Sequence, residues 1–185
     1  MHRTEITWCL HLIPSRPPQD FAEAFGKLIA NGAPTESRTK PSARDEASKE
    51  FREAAMHGSL DVVKAYAPKA DVHALETFSG RSALHKAAFW GHDGTVEFLT
   101  KECGLDVNVQ DSNGDTPLHD AARFGGKDSV VHYKCVELLV DAGTNLELRN
   151  RKGQTVLDVA KEYGKDTTVA FLHNRASAKH MKSKL

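Results

Sequence analysis

This sequence is poor in the features that announce redox chemistry, a membrane or a charged ligand. Only three cysteines occur in its 185 residues, Cys9, Cys103 and Cys135. An odd number at such wide spacing suits neither a disulfide framework nor a zinc site with paired thiolates, so reduced thiols in an intracellular compartment are the simpler reading. Net charge is missing too. The 25 Lys and Arg stand against 25 Asp and Glu, which leaves no overall field to steer the chain toward nucleic acid or an anionic membrane. No apolar run approaches the ~20 residues needed to span a bilayer. The patch from Ile6 to Ile13 is broken by Cys9 and His11 and followed by Pro14, Pro17 and Pro18, unlike a secretory signal with its small-residue cleavage site. The expected setting is intracellular, cytoplasmic rather than nuclear, with no membrane contact.

Signatures of catalysis are lacking as well. There is no nucleophile elbow, no glycine-rich phosphate loop and no carboxylate pair placed for acid and base roles. The ten histidines are spread out, without a His/Cys/carboxylate cluster at ligand spacing. The sequence thus predicts a non-enzyme with no catalytic residues, no cofactor, no metal and no small-molecule substrate. Its length allows one domain of usual size plus tails.

What the chain does have is repetition. Ser82-Ala83-Leu84-His85-Lys86-Ala87-Ala88-Phe89-Trp90-Gly91-His92 recurs as Thr116-Pro117-Leu118-His119-Asp120-Ala121-Ala122-Arg123-Phe124-Gly125-Gly126, with Ala87 and Ala121 34 positions apart. A weaker copy precedes it, Phe51 to Gly58, with Ala54 33 residues before Ala87. A fourth follows, Thr155 to Gly164, with Ala160 39 residues after Ala121, as if about six residues had been inserted into a 33-residue unit.

Each unit reads as a pair of helices. Thr116 is placed to cap a helix whose first position is Pro117, where no donor is lost. Leu118, Ala121 and Ala122 share one helical face, the alanines allowing close approach of a neighbour, and Gly125 ends the helix. Cys135, Leu138, Leu139 and Ala142 mark the buried side of a second helix, closed by a left-handed Gly143. Asn150 to Gly153 is a tight turn into the next unit. In the first copy Pro68 cuts the second helix short. No unit buries its apolar face alone, so at least three must stack. The four copies exceed that minimum by one, which predicts modest stability and fraying ends.

Thr116-Pro117-Leu118-His119-Asp120-Ala121 meets the T-P-L-H-x-A signature of the ankyrin repeat, and the period of about 33 agrees. The chain resembles that family over residues 46–173. The resemblance implies an all-α ankyrin-repeat solenoid of stacked helix-turn-helix units joined by short interrepeat turns or hairpins. It implies that His85 and His119 are framework residues bonded to neighbouring backbone rather than catalytic groups. It also places Asn108 where ankyrin domains can be hydroxylated by an asparaginyl hydroxylase, beside a structural role in the turn.

The family's usual docking surface is a concave wall of turn tips and exposed first-helix residues. Mapped here, the pairs before each helix-ending glycine are Met56 and His57, Phe89 and Trp90, Arg123 and Phe124, and Glu162 and Tyr163. Aromatic and arginine side chains are enriched at binding hot spots, which singles out a stripe of Trp90, Phe124 and Tyr163. The competing reading packs some of these rings between repeats. The tips add Phe78, Ser79 and Arg81, then Ser112, Asn113 and Asp115, then Arg151, Lys152 and Gln154. Their charge drifts from mixed to basic, which fits a partner with an acidic patch near the C-terminal end. The inserted stretch Gly126 to Tyr133 either lengthens a loop or helix or forms a contact loop.

The flanks complete the expected organisation. Residues 1–45 form an N-terminal segment. Asp20-Phe21-Ala22-Glu23 looks like a capping box for an amphipathic helix at about 20–31, either capping the stack or docking elsewhere, and Ala33 to Arg44 reads as a flexible linker. Residues 174–185, with Arg175, Lys179, Lys182 and Lys184, read as a basic disordered tail. The functional expectation is a protein-protein interaction module acting as adaptor, scaffold or inhibitor on a protein partner. Two alternatives are a regulatory or targeting subunit of an enzyme on another chain, and weak nucleic-acid association through the basic end.

Overall fold

The computed structural model describes residues 41–124 and 130–182, with side chains as far as residue 177. Cys9, the helix expected at about 20–31, the linker up to residue 40, and Gly125 to Ser129 lie outside the described residues. Among the described residues there are eight helices and no strand. They pair as α1 (Ala43–His57) with α2 (Leu60–Tyr66), α3 (Ala83–Trp90) with α4 (Asp93–Lys101), α5 (Pro117–Phe124) with α6 (Val130–Asp141), and α7 (Val156–Glu162) with α8 (Asp166–Lys182). First helices pack in the order α1, α3, α5, α7, and behind them α4 lies between α2 and α6. These are the stacked helical hairpins that the period requires.

One local device starts each first helix. Ser42, Ser82 and Thr155 accept the backbone amide of the third helical residue, whose own side chain bonds back to the cap. Thr116 does the same, its hydroxyl accepting the His119 amide at 3.4 Å. In two copies the returning side chain is an aspartate, in the other two a histidine. Gly58 and Gly91 close α1 and α3 at φ 69° and 75°, a region that strains any residue with a Cβ.

The spine is continuous and mostly small. Ala54 and Ala55, Ala87 and Ala88, and Ala121 and Ala122 are buried at successive first-helix positions, with Phe51, Leu84 and Leu118 beside them. Val63, Val96, Leu99, Cys135, Val136 and Leu139 carry the core into the second helices. As the sequence predicts, α2 stops at Tyr66, two residues before Pro68, and Gly143 is left-handed with φ 92°.

Several expectations are corrected. The buried face of α6 is Cys135, Val136 and Leu139, with Leu138 half-buried and Ala142 exposed; the helix starts at Val130, inside the inserted stretch, and presents a different face. Capping by Ser42 starts α1 before the linker was expected to end at Arg44. The tail expected to be disordered from residue 174 is helical as far as Lys182. Its Ala, Lys and Met residues favour helix. Leu172 is buried, Phe171 packs edge-on to Tyr133 at 5.7 Å, and Arg175 reaches Asp141 at 2.6 Å. A helix already anchored in this way propagates with little further cost.

Candidate protein-recognition site

The stripe sits at the C-terminal ends of the first helices, in an arrangement between core and free surface. Trp90, Phe124 and Tyr163 are 55%, 37% and 45% exposed. Phe89, half-buried, joins the first two: its ring lies edge-on to Trp90 at 5.4 Å and to Phe124 at 4.7 Å. Such edge-to-face contacts fix the orientation of the rings. Guanidinium groups cover two rings, Arg81 over Phe89 at 5.0 Å and Arg123 over Tyr163 at 5.6 Å. Val130 and Val131, at the start of α6 within the inserted stretch, are exposed as well.

The tips are zipped to one another by backbone bonds. The Ser112 amide donates to the Ser79 carbonyl at 2.8 Å and the Arg151 amide to the Asn113 carbonyl at 2.8 Å. Phe78 is 95% exposed and its carbonyl accepts the Ser112 hydroxyl at 3.1 Å. Each of the last two tips turns about one side chain. Asp111 Oδ1 accepts the amides of Asn113 and Asp115, and Asn150 Oδ1 those of Lys152 and Gln154. Asn113, Arg151 and Lys152 are exposed, Ser112 and Gln154 half-buried.

Asp115 does not belong with them. Its carboxylate is buried, accepting from Arg123 Nη2 at 2.9 Å and from Asn150 Nδ2 at 2.9 Å. We correct its assignment from a tip contact to a tie between the third and fourth repeats. It belongs to a cluster hidden from sequence reasoning. Arg81 spans Asp111 at 3.4 Å and Asp120 at 3.0 Å, and Asp120 is fully buried with Oδ2 lacking a partner. Burial, outweighing the two guanidiniums, raises the Asp120 carboxyl to about 7.

The two signature histidines are framework groups. The Ser82 amide donates to Nδ1 of His85, so the ring proton is on Nε2, which donates to the Asp115 carbonyl at 2.9 Å. His119 repeats this with the Thr116 amide and the Gln154 carbonyl at 3.2 Å. Burial pulls the His85 ring down to about 4 and lowers that of His119. Both described thiols are held protonated by burial, Cys135 up to about 12. Asn108 accepts the Asn145 amide on Oδ1 at 2.7 Å, tying two successive turns together. Among the described residues no group of three His, Cys, Asp or Glu side chains is arranged to hold a metal ion, and no helix is long and apolar enough to cross a membrane.

Residues 51–141 match the family model of ankyrin repeats in three copies. These residues belong to the ankyrin-repeat family. The pair α7 and α8 continues the stack beyond the matched span. The chain is 31% identical over 105 residues to a target of rapamycin complex 2 subunit of Saccharomyces cerevisiae, covering 56% of this chain and 23% of that protein. It is 40% identical over 84 residues to mouse protein phosphatase 1 regulatory subunit 12A, covering 45% and 8%. It is 32% identical over 121 residues to an ankyrin repeat protein of Rickettsia bellii, covering 64% and 63%. The chain therefore spans less than two thirds of each of these relatives. Ankyrin repeats are protein-interaction modules, and the family is generally non-catalytic.

Proposed function

We propose that this ankyrin stack is a non-catalytic adaptor, scaffold or inhibitor that binds another protein through its first-helix aromatic row and its turn tips. One observation carries the reading. Trp90, Phe124 and Tyr163 remain 37–55% exposed at equivalent positions of three consecutive repeats, while the aliphatic residues of the same helices are buried, save the half-buried Leu157. Large rings held by edge contacts bury much area on docking at small entropic cost. The contact set is Phe78, Phe89, Trp90, Ser112, Asn113, Phe124, Arg151, Lys152, Gln154 and Tyr163, with the half-buried Arg81 and Arg123 at its edge.

A second reading, that the chain acts as a regulatory or targeting subunit of an enzyme on another chain, is favoured by the printed roles of two relatives, a regulatory subunit of protein phosphatase 1 and a subunit of a target of rapamycin complex. Affinity purification of the full chain beside its Trp90→Ala and Phe124→Ala variants tests both. Proteins recovered by the wild type and lost from the folded variants support the site, and an enzyme activity lost with them favours the second reading. Equal recovery by all three chains would refute the site. Binding of nucleic acid through the basic end predicts a steep fall in affinity with salt.

A further inference from the structure

The three turn tips from Phe78 to Lys152 differ from an ordinary mixed surface in how their charges are used. Every carboxylate on them has a cationic partner inside the molecule. Glu76 is bonded to Lys86 at 2.8 Å and to the Ser79 hydroxyl. Asp111 faces Arg81 at 3.4 Å, and Asp115 faces Arg123 at 2.9 Å. The last tip is the reverse. Arg151 and Lys152 are exposed, and among the described residues no carboxylate is paired with either side chain. Their backbone is nevertheless fixed, the Arg151 amide on the Asn113 carbonyl at 2.8 Å and the Lys152 amide on Asn150 Oδ1 at 3.0 Å. At the other end of the same row stands Phe78, 95% exposed.

We propose that the row of tips takes an extended acidic polypeptide segment, with an apolar side chain against Phe78 and carboxylates on Arg151 and Lys152. The proposal rests on the reading of the stack as a protein-binding module and names the chemistry of the partner. Charge complementarity sets its direction along the row. Dimensions set its length. Neighbouring helices pack about 8–10 Å apart, so tips two repeats apart are separated by roughly 16–20 Å, which an extended chain crosses in about five to six residues. The backbone of that turn is already held, so binding has only the two cationic side chains to order there. A nucleic-acid backbone carries a charge at every nucleotide and needs a run of cations along its track. The first tip turns its one arginine, Arg81, onto Asp111 and Asp120, and the second tip, Asp111 to Asp115, carries no cation, so the two do not supply that run.

The test is selection of a phage-displayed library of random 12-residue peptides on the full chain, followed by affinity measurement of the synthesised winners. Enriched peptides are expected to pair an aromatic or leucine with two or more carboxylates about five residues away. Their affinity is expected to fall about tenfold or more in Phe78→Ser and in the double variant Arg151→Glu, Lys152→Glu at 0.15 M salt, and to recover in part when the peptide carboxylates become lysines. If the charge reversal lowers the unfolding midpoint, the double variant Arg151→Gln, Lys152→Gln replaces it. Peptides that need Trp90 yet are neutral or basic, or ignore both double variants, would overturn this proposal and leave the protein-binding reading standing. A library that yields no specific binder would overturn both. A 20-nucleotide single-stranded DNA that binds more tightly than the peptides and is lost in the double variant would reassign the tip to phosphate.

Discussion

Nε2 of His132 lies 3.0 Å from the carbonyl oxygen of Phe89. His92 makes the same bond to the carbonyl of Met56 at 2.9 Å, and Met56 and Phe89 are equivalent positions in successive copies. A carbonyl only accepts, so each imidazole donates from Nε2 to the end of the preceding first helix, where unpaired carbonyls are otherwise left. The insertion is therefore absorbed before His132, and the stack regains its register there. Each ring also lies against the glycine that ends that helix: a Cβ built on Gly58 would come within 2.4 Å of the His92 ring, and one on Gly91 within 3.0 Å of His132. Replacing His92 by Ala is expected to cost about 1–2 kcal/mol, a lost bond plus a carbonyl left without its partner. Urea unfolding followed by circular dichroism measures it. An unchanged midpoint would mean that the bond does not hold the first two repeats together.

Two buried groups titrate with opposite sign. The His85 ring is pulled from 6.5 to about 4 by burial, so between those values the unfolded chain takes up a proton that the folded chain refuses. Its contribution is complete above pH 6.5 and falls as the pH drops toward 4. Asp120 is raised from 3.8 to about 7. The fold holds that proton, and stability is lost as the pH rises through this window. Asp120→Asn removes the second slope and leaves the first. The free energy of unfolding of the variant relative to wild type is expected to rise from pH 4 to pH 7, by at most about 1.4 kcal/mol per pH unit. Parallel profiles would place Asp120 in its charged form throughout, held so by Arg81 and Arg123.

Exposure and burial predict separable effects along one first-helix row. Leu118 is fully buried, whereas Trp90 is 55% exposed. Leu118→Ala is expected to cost about 2–5 kcal/mol, and Trp90→Ala under about 1 kcal/mol. Phe89→Ala removes the ring that both Trp90 and Phe124 lean on, and belongs between them. Thermal unfolding of the three variants orders them. A Trp90→Ala variant as unstable as Leu118→Ala would make that tryptophan a packing residue and remove it from the contact set.

The repeat, its helix starts and its aromatic row were legible because they depend on local rules: a cap, a period, a glycine. Three things were not. Asp115 reads as a tip residue because its own turn is exposed in sequence terms. Its burial comes from Arg123 on the next helix and Asn150 on the next tip, partners at separations of 8 and 35 residues. Asp120 is likewise buried by the stacking of neighbouring repeats and meets Arg81, 39 residues earlier. The helical tail was missed for the opposite reason. Its charge pattern reads as solvated, and the docking of Phe171 and Leu172 onto the stack anchors a helix that its Ala, Lys and Met residues then extend.

Gly114 and Gly153 have nearly identical backbones, φ 75° and 76°, and both lie at turn tips. Their surroundings differ. A Cβ on Gly114 would stand 2.9 Å from the Arg151 amide nitrogen and 3.1 Å from Asn150 Cα, whereas one on Gly153 meets nothing within 4 Å. Both alanine variants bear the left-handed penalty, about 1 kcal/mol. Only Gly114→Ala also pushes backbone against backbone, where no side chain can swing away, and it must loosen the Arg151 to Asn113 bond that joins the last two tips. It is expected to be less stable than Gly153→Ala by at least about 1 kcal/mol, with faster hydrogen exchange at the Arg151 amide. Equal stabilities and unchanged exchange would mean that the tips yield freely to one another and are not a rigid row.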